Sequence, residues 1–119
     1  MEAWIKPETA TGDDGIITKY DYGSGDRGYS IIINNDRKIK ADFSDDGSSS
    51  ATHMVNITGT TVLTLGTWYH IAVTFVPSTE TGIIYINGVD DSAGKSGSMG
   101  TTIHSGSASF SIGSYMLNG

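Results

Sequence analysis

The sequence contains no cysteine among its 119 residues, only two prolines, and only seven lysines and arginines. Without cysteine the chain has no disulfide framework, no thiolate metal site and no thiol nucleophile. Thirteen acids outnumber the basic residues and give a net charge of −6. This argues against nucleic acid as a partner, because phosphate binding depends on Lys and Arg. No apolar run approaches the roughly 20 residues that span a bilayer, so we expect no membrane insertion.

Glycine, serine and threonine are abundant instead, and the apolar residues come in short runs separated by turn residues. This mixture disfavours helices and predicts short strands joined by tight turns. The predicted strands are 1–6, 15–20, 29–33, 38–43, 53–58, 62–65, 68–76, 82–86, 89 onward and 110–115. Polar loops are predicted at 9–14, 21–28 and 44–50, and residues 92–102 are predicted to be irregular. About nine short strands indicate an all-β sandwich or barrel.

The most regular strand pattern lies at residues 68–76. Its bulky side chains at alternate positions are Tyr69, Ile71, Val73 and Phe75. Alternate residues share one face of a strand, so we assign this face to the core. Asn87 and Gly88 lie between two apolar runs and predict a tight hairpin, because both residue types tolerate a positive φ.

Three tyrosines surround the glycine-rich stretch 21–28, which is the best candidate binding site in the chain. A pyranose presents an apolar face and a rim of hydroxyls, so a sugar site combines aromatic platforms with hydrogen-bonding groups. Tyr22 is predicted to be exposed, whereas Tyr20 and Tyr29 have the alternative role of capping the core at strand ends. Trp4 and Trp68 lie in predicted strands and are assigned to the core or to a sheet face rather than to a sugar platform. The candidate ligand-binding residues are Tyr20, Tyr22, Asp26, Arg27 and Asn35.

Aspartates are paired at 13–14, 45–46 and 90–91, and two more flank the glycine-rich stretch. Hard carboxylate oxygens on loops suit Ca²⁺. The alternating acids, glycine and distant glutamate of a calcium-binding loop are absent, and Asp-Gly is also an ordinary turn sequence. The candidate metal ligands are Asp21, Asp26, Asp45 and Asp46, with Ca²⁺ as the expected ion.

Residues for catalysis are sparse. Glycoside hydrolysis needs two carboxylates flanking the scissile bond. Of the three glutamates, Glu8 and Glu80 fall in predicted turns, and no predicted strand carries acids at alternate positions. His53 and His104 stand alone, and no Ser, His and Asp set has the spacing of a known triad. We therefore predict that the protein is not an enzyme.

The order of the short strand motifs resembles that of a known family. The most telling are the Trp-x-His-x-Ala strand at 68–72 and the Tyr-x-Asn-Gly hairpin at 85–88. The full set is 2–7, 15–19, 28–31, 68–74, 84–89 and 110–113. In this order the segments resemble the laminin-G-like, concanavalin A-like jelly-roll superfamily. The resemblance implies one domain over residues 1–119, an antiparallel β-sandwich of the jelly-roll type. It also implies a structural role for His70, and members often carry one Ca²⁺ on a sandwich rim.

Two departures from the superfamily pattern bear on assembly. Members usually have a strand before the segment that begins at Glu2, and a closing strand after the last glycine-rich turn. The sequence shows neither, which implies sheet edges that are open to pairing. We therefore expect a homodimer or a higher assembly, formed through these open edges.

Three functions from different classes are consistent with the sequence. The leading hypothesis is a non-catalytic binding module for carbohydrate, in an extracellular protein or one on a cell or virion surface. The chain opens on a predicted strand, so no targeting segment is expected within it. The alternative is a protein-interaction or structural assembly module, such as an adhesion or phage-surface unit, with a protein as its ligand. The third is a fragment of a glycoside hydrolase or lyase. The fold alone selects none of them.

Overall fold

The computed structural model describes residues 1–9 and 12–114, which form ten β-strands and one short 3₁₀ turn. The strands are β1 (Glu2–Ile5), β2 (Asp14–Asp21), β3 (Asp26–Ile33), β4 (Ile39–Gly47), β5 (Met54–Gly59), β6 (Tyr69–Val76), β7 (Thr81–Ile86), β8 (Val89–Asp90), β9 (Ser92–Ser98) and β10 (Phe110–Ile112). The 3₁₀ turn is Pro77–Thr79. No helix among the described residues is long and apolar enough to cross a membrane.

The strands form two antiparallel sheets. The small sheet has four strands in the order β1-β6-β7-β8, and the large sheet has six in the order β10-β2-β3-β4-β5-β9. This confirms the predicted all-β antiparallel sandwich. Within the described residues, β1 and β8 are the edges of the small sheet, and β10 and β9 are the edges of the large sheet. Assembly of copies through these edges stays a prediction.

The apolar core lies between the two sheets, and the four alternating side chains of β6 pack into it as predicted. Phe75 of the small sheet stacks on Phe43 of the large sheet, with ring centroids 3.9 Å apart and planes 5° apart. Close packing at this point requires a glycine at position 82. A Cβ on Gly82 would lie 2.0 Å from Cδ1 of Ile57.

Tight hairpins connect neighbouring strands. Asn87 and Gly88 have φ values of 52° and 82°, which confirms the predicted turn between β7 and β8. The predicted long loop at 21–28 is wrong, because β2 and β3 continue their pairing as far as Asp21 and Asp26. Only residues 22–25 form the turn. The predicted loop at 44–50 is also shorter than expected, since β4 extends to Gly47.

The prediction was also wrong at two other places. Residues 92–98, predicted to be irregular, form edge strand β9 on β5. Backbone hydrogen bonds suffice for such a strand, and its mostly exposed glycines and serines give no apolar alternation to detect. Residues 62–65 form no strand, although Leu63 is buried and donates its N–H to the Arg37 carbonyl oxygen at 2.8 Å. Position 115 of the last predicted strand and positions 10 and 11 of the first predicted loop lie outside the described residues.

The segment 99–109, which we call the closing segment, connects β9 to β10 and covers part of the core. Met99 and Ile103 pack against the core. The N–H of His104 donates to the Ser44 carbonyl oxygen at 2.7 Å, which ties the segment to β4. This segment therefore lies beside the β2–β3 turn and the end of β4, where the sequence placed its candidate site.

Candidate functional site

The predicted ligand cluster at the β2–β3 turn is largely internal. Arg27 is buried and donates to the carbonyl oxygens of Tyr22 at 2.8 Å and Gly47 at 3.2 Å. Its guanidinium lies over the Tyr22 ring, 4.8 Å from the centroid, and 5.7 Å from the centroid of buried Tyr20. Burial removes Tyr20 and Arg27 from a surface that a ligand could reach. Tyr22, in contrast to Tyr20, faces solvent as predicted, with 56% of its surface exposed.

Asp26 fastens the closing segment rather than facing a ligand. One carboxylate oxygen lies 3.0 Å from Nε2 of His104, and the other accepts from the Ser107 hydroxyl at 2.8 Å and the Ala108 N–H at 2.7 Å. The hydrogen bond from Ser107 is the main cause that lowers the pKa of Asp26, and it outweighs the opposing effect of burial. Lys19 Nζ holds the same segment by donating to the Ala108 carbonyl oxygen at 2.7 Å.

Asn35 lies in the turn after β3, at the opposite end of that strand from Tyr22. Eight strand residues separate the two turns, a length of about 25 Å. The turn itself is held by Asn34, whose Oδ1 accepts from the N–H of Asp36 at 3.0 Å and of Lys38 at 2.9 Å. The prediction that Asn35 joins the tyrosine cluster is therefore wrong.

The structure does not bring the four candidate metal ligands together at one site. Asp21 accepts from the backbone N–H groups of Gly23 at 2.9 Å and Ser24 at 3.2 Å, an Asx-type turn. The hydrogen bond from the Ser24 side chain is the main reason that the pKa of Asp21 is lowered. Both carboxylate oxygens of Asp26 contact the closing segment, as described above. Among the described residues, the group with metal-ligand spacing is Asp45 and Asp46 with His53, and the ligand atoms lie within 4.8 Å of one another.

The Asp45–Asp46–His53 cluster joins the end of β4 to the turn before β5. Nδ1 of His53 lies 2.9 Å from Asp45 Oδ1 and 3.5 Å from Asp46 Oδ2. The other oxygen of each carboxylate is held by a backbone N–H, from Gly100 for Asp45 and from Ser48 for Asp46. The Ser48 hydrogen bond is the main cause that lowers the pKa of Asp46. Sequence reasoning left His53 alone because its partner lies across a strand pair.

A second surface, which the sequence did not identify as a site, covers the outer side of the small sheet. It exposes 67% of Trp4 and 60% of Trp68. Trp4 lies opposite His70 in the β1–β6 register, and their ring centroids are 5.3 Å apart. Nε2 of His70 lies 3.3 Å from Oε2 of Glu2. We call this surface the aromatic face. Its members on the paired strands are Glu2, Trp4, His70, Ala72, Tyr85 and Asp90, and we include with them the exposed Trp68, the residue immediately before β6.

The two tryptophans correct one part of the sequence interpretation. Trp4 occupies a sheet face, which was one of the two alternatives, but Trp68 precedes the first residue of β6, and neither is in the core. The alternation of β6 contained the signal. Because Ile71 and Val73 point inward, even-numbered residues such as His70 point outward, and residue 68 continues that series.

One buried carboxylate bears on the hydrolase hypothesis. Asp42 of β4 is 1% exposed, and its Oδ2 lies 3.1 Å from Lys40 Nζ and 3.2 Å from the Ser30 hydroxyl. Burial raises the pKa of Asp42 against the opposing effect of Lys40. A carboxylate this inaccessible cannot reach a glycosidic bond, so its contacts indicate a structural ion pair.

Comparison with known proteins agrees with this architecture. A family model of the laminin G type, described as the concanavalin A-like lectin/glucanases superfamily, matches residues 1–119. The match covers the whole chain, including both sheets and the closing segment. No curated protein and no solved structure matches the chain. The assignment of a ligand therefore depends on the surface chemistry of this chain itself.

Proposed function

The chain belongs to the concanavalin A-like lectin/glucanases superfamily, and on this premise we propose that it is a non-catalytic carbohydrate-binding module of an extracellular or surface protein. The family supports a lectin-like or binding module. The observation that carries the proposal is the pair of exposed tryptophans, Trp4 and Trp68, on the aromatic face.

Tryptophan is a costly residue to leave in water, since full burial of a large apolar side chain contributes about 1.5–3 kcal/mol. Trp4 nevertheless lies on the side of the small sheet that faces away from the core, and Trp68, immediately before β6, is exposed as well. Their indole rings offer flat apolar surfaces, and Glu2 and His70 lie beside Trp4 with hydrogen-bonding groups. A pyranose matches this combination, because its ring carbons form an apolar face and its hydroxyls form a polar rim.

The contribution of Trp4 to binding follows from its exposure. At 67% exposed and with about 250 Å² of side-chain surface, Trp4 leaves roughly 170 Å² open to solvent. A sugar that stacks on one side of the ring covers about half of this, roughly 80 Å². At about 25 cal/mol per Å², the stacking is worth about 2 kcal/mol. Replacing Trp4 with alanine should then weaken binding by about 30-fold.

A glycan array followed by calorimetry on the best ligand tests this proposal. We expect Trp4→Ala to lose about 30-fold in affinity and Trp68→Ala to weaken binding as well. Phe110→Ala is the matched control, because Phe110 is also an exposed aromatic residue, 57% exposed, but lies on the large sheet. Tyr22→Ala tests the β2–β3 turn independently. Binding that is unchanged in Trp4→Ala but lost in Tyr22→Ala would move the site to that turn.

Two other functions make different predictions. A protein-interaction or assembly module, joined through the open edges of β1 and β10, would bind no glycan, and this result, rather than a dimer in solution, distinguishes it from the carbohydrate-binding module. A hydrolase fragment would release reducing sugar from polysaccharides. The aromatic face favours the carbohydrate proposal over the first of these, and burial removes Asp42 as a catalytic carboxylate for the second.

We also propose that the Asp45–Asp46–His53 cluster binds a divalent cation. The sequence suggested Ca²⁺ on carboxylates alone, and the geometry adds an imidazole nitrogen to two carboxylate oxygens. Nitrogen ligands suit Zn²⁺ and its neighbours, whereas Ca²⁺ takes six to eight oxygens. The cluster therefore favours a zinc-like ion over Ca²⁺, and parallel titration with both chlorides distinguishes them.

A further inference from the structure

Resting on the proposed carbohydrate-binding function, we propose that the aromatic face selects pyranose chains that are uncharged or carry amino groups, and rejects sulfated and uronic acid polymers. The juxtaposition that carries this inference is a row of side chains crossing the whole small sheet, with a carboxylate at each end and a small residue between. This row of side chains determines which chemical class of carbohydrate can bind beside the tryptophans.

The row consists of side chains that face each other across successive strands. Glu2 of β1 pairs with Ala72 of β6, Ala72 pairs with Tyr85 of β7, and Tyr85 pairs with Asp90 of β8. Directly paired residues project on the same face of a sheet. Since neighbouring strands lie about 4.8 Å apart, the row is about 14 Å long, which is longer than a single sugar ring.

Ala72 makes the middle of this row lower than its surroundings. Its side chain is a single methyl group, and its neighbours are Glu2 and Tyr85 within the row and the Trp4–His70 pair in the adjacent row. The small side chain leaves space above Ala72, with Trp4 in the adjacent row and Tyr85 on the next strand, and we call this space the trough. A sugar chain lying in the trough can stack on the indole while its hydroxyls approach the carboxylates at either end.

Neither carboxylate has a lysine or arginine partner in the described part of the chain. Glu2 is 74% exposed at its side chain and has His70 as its ionic neighbour, and Asp90 has no ion pair within 4 Å. One oxygen of Asp90 accepts from the Ser92 N–H at 2.9 Å, and the other is open to a ligand. The nearby Lys6 is paired with Glu8 at 2.8 Å.

The carboxylates of Glu2 and Asp90 determine which classes of sugar the aromatic face can bind. Each open carboxylate oxygen accepts hydrogen bonds from hydroxyls, and accepts stronger ones from an ammonium group. A sulfate or uronate would instead approach two carboxylates that no lysine or arginine neutralises, on a protein whose net charge is −6. Such like-charge contact is unfavourable and slows association. The trough therefore fits neutral and amino sugars and excludes polyanions.

Calorimetry with three probes tests the inference: cellohexaose as a neutral chain, a chitosan hexamer as an amino-bearing chain, and heparin as a polyanion. We expect wild-type protein to bind at least one of the first two and not to bind heparin at physiological salt. Binding of heparin that Trp4→Ala abolishes would overturn the selectivity while leaving the carbohydrate function intact. Glycan binding that does not depend on Trp4 would overturn the inference alone, and if neither these probes nor a glycan array shows any binding, the proposed function fails as well.

The double variant Glu2→Gln, Asp90→Asn tests the role of the carboxylates. We expect it to bind the neutral chain about three- to tenfold more weakly, because a hydrogen bond to a neutral amide oxygen is weaker than one to a carboxylate. The chitosan hexamer should lose more, and the discrimination against heparin should narrow. Asp36→Asn is the matched control, since it removes an exposed carboxylate from a turn of the large sheet. Equal effects of the double variant and the control would overturn the inference.

Discussion

Replacing Asp91 with asparagine is expected to destabilise the fold strongly although the change is nearly isosteric. Asp91 is a buried carboxylate between β8 and β9. Its Oδ1 accepts from the hydroxyls of Thr60 at 2.7 Å and Thr61 at 2.6 Å, and Oδ2 accepts from their backbone N–H groups at 3.0 Å and 3.2 Å. One carboxylate thus holds the chain after β5 against the edge of the small sheet.

The magnitude follows from what asparagine removes. Four donors face the carboxylate, and an amide offers them one neutral oxygen and an NH₂ group that is itself a donor. A hydrogen bond to a charged acceptor contributes about 1.5–3 kcal/mol, and a donor left without a partner costs about 1–3 kcal/mol. Water can reach Thr60, which is exposed, and recovers part of the loss. We therefore expect Asp91→Asn to lower the free energy of unfolding by about 3 kcal/mol at pH 7.

The same contacts make this stabilisation depend on pH. Burial raises the pKa of Asp91, but the hydrogen bonds from Thr61 and Thr60 outweigh burial and hold the pKa below its usual value. In the unfolded chain an aspartate titrates near 3.9. A pKa that is lower in the folded state gives stability that is present above about pH 4 and lost as pH falls through the folded pKa. The difference between wild type and Asp91→Asn should therefore shrink below about pH 4.

Urea denaturation followed by far-UV circular dichroism at pH 7, 5 and 3 measures both effects. Asp36→Asn serves as the control, because Asp36 is exposed in a turn and its loss should leave the free energy of unfolding unchanged. If Asp91→Asn does not fold, Thr61→Val removes one hydroxyl donor and should cost about 1 kcal/mol. A loss below about 0.5 kcal/mol for Asp91→Asn at pH 7, or an equal loss at pH 3 and pH 7, would refute the reasoning.

Two further predictions concern the end of the large sheet. Asp26→Asn should loosen the closing segment. We expect faster amide hydrogen exchange at positions 104–108, while the core strands keep their protection. Unchanged exchange at these positions would show that Asp26 does not hold the segment. The cation proposal predicts that ZnCl₂ at tenfold excess over its Kd raises the melting temperature by about 5 °C in wild type and in His104→Ala, but not in His53→Ala. A larger shift with CaCl₂, or equal shifts in both variants, would contradict a histidine-containing site.

Much of the fold could be predicted from the sequence because burial on one face imposes alternation. The inward residues of β6 were identified by their period of two, and the β7–β8 hairpin by Asn87 and Gly88. Strand β9 could not be found this way. The side chains of β9 are mostly exposed, so this segment is a strand because its backbone pairs with β5. That pairing joins residues distant in the sequence and leaves no local pattern to detect.

The site was harder to predict because proximity in sequence does not establish exposure. Tyr20 and Arg27 lie beside Tyr22 in sequence, yet strand pairing and the neighbouring end of β4 bury both of them. His53 reaches Asp45 only because β4 and β5 pair. The exposure of Trp68 could have been predicted, since the same alternation that placed residue 71 inside places residues 68 and 70 outside, whereas the face of Trp4 follows from the pairing of β1 with β6.

The two outer faces of the sandwich differ in what a ligand can reach, and this difference supports the proposed binding surface. On the large sheet the central residues Thr18, Ser30 and Asp42 are buried, so their polar groups are inaccessible. On the small sheet Trp4 is open, and it is supported by the His70 ring 5.3 Å away.

Because the aromatic face is built on paired strands, its side chains are positioned before a ligand arrives, and little conformational entropy remains to be lost on binding. A site at the tip of the β2–β3 turn would depend on Tyr22 alone among the five residues first considered. Recognition by this domain should therefore involve a rigid sheet surface, with little difference in backbone structure between the free and the bound protein.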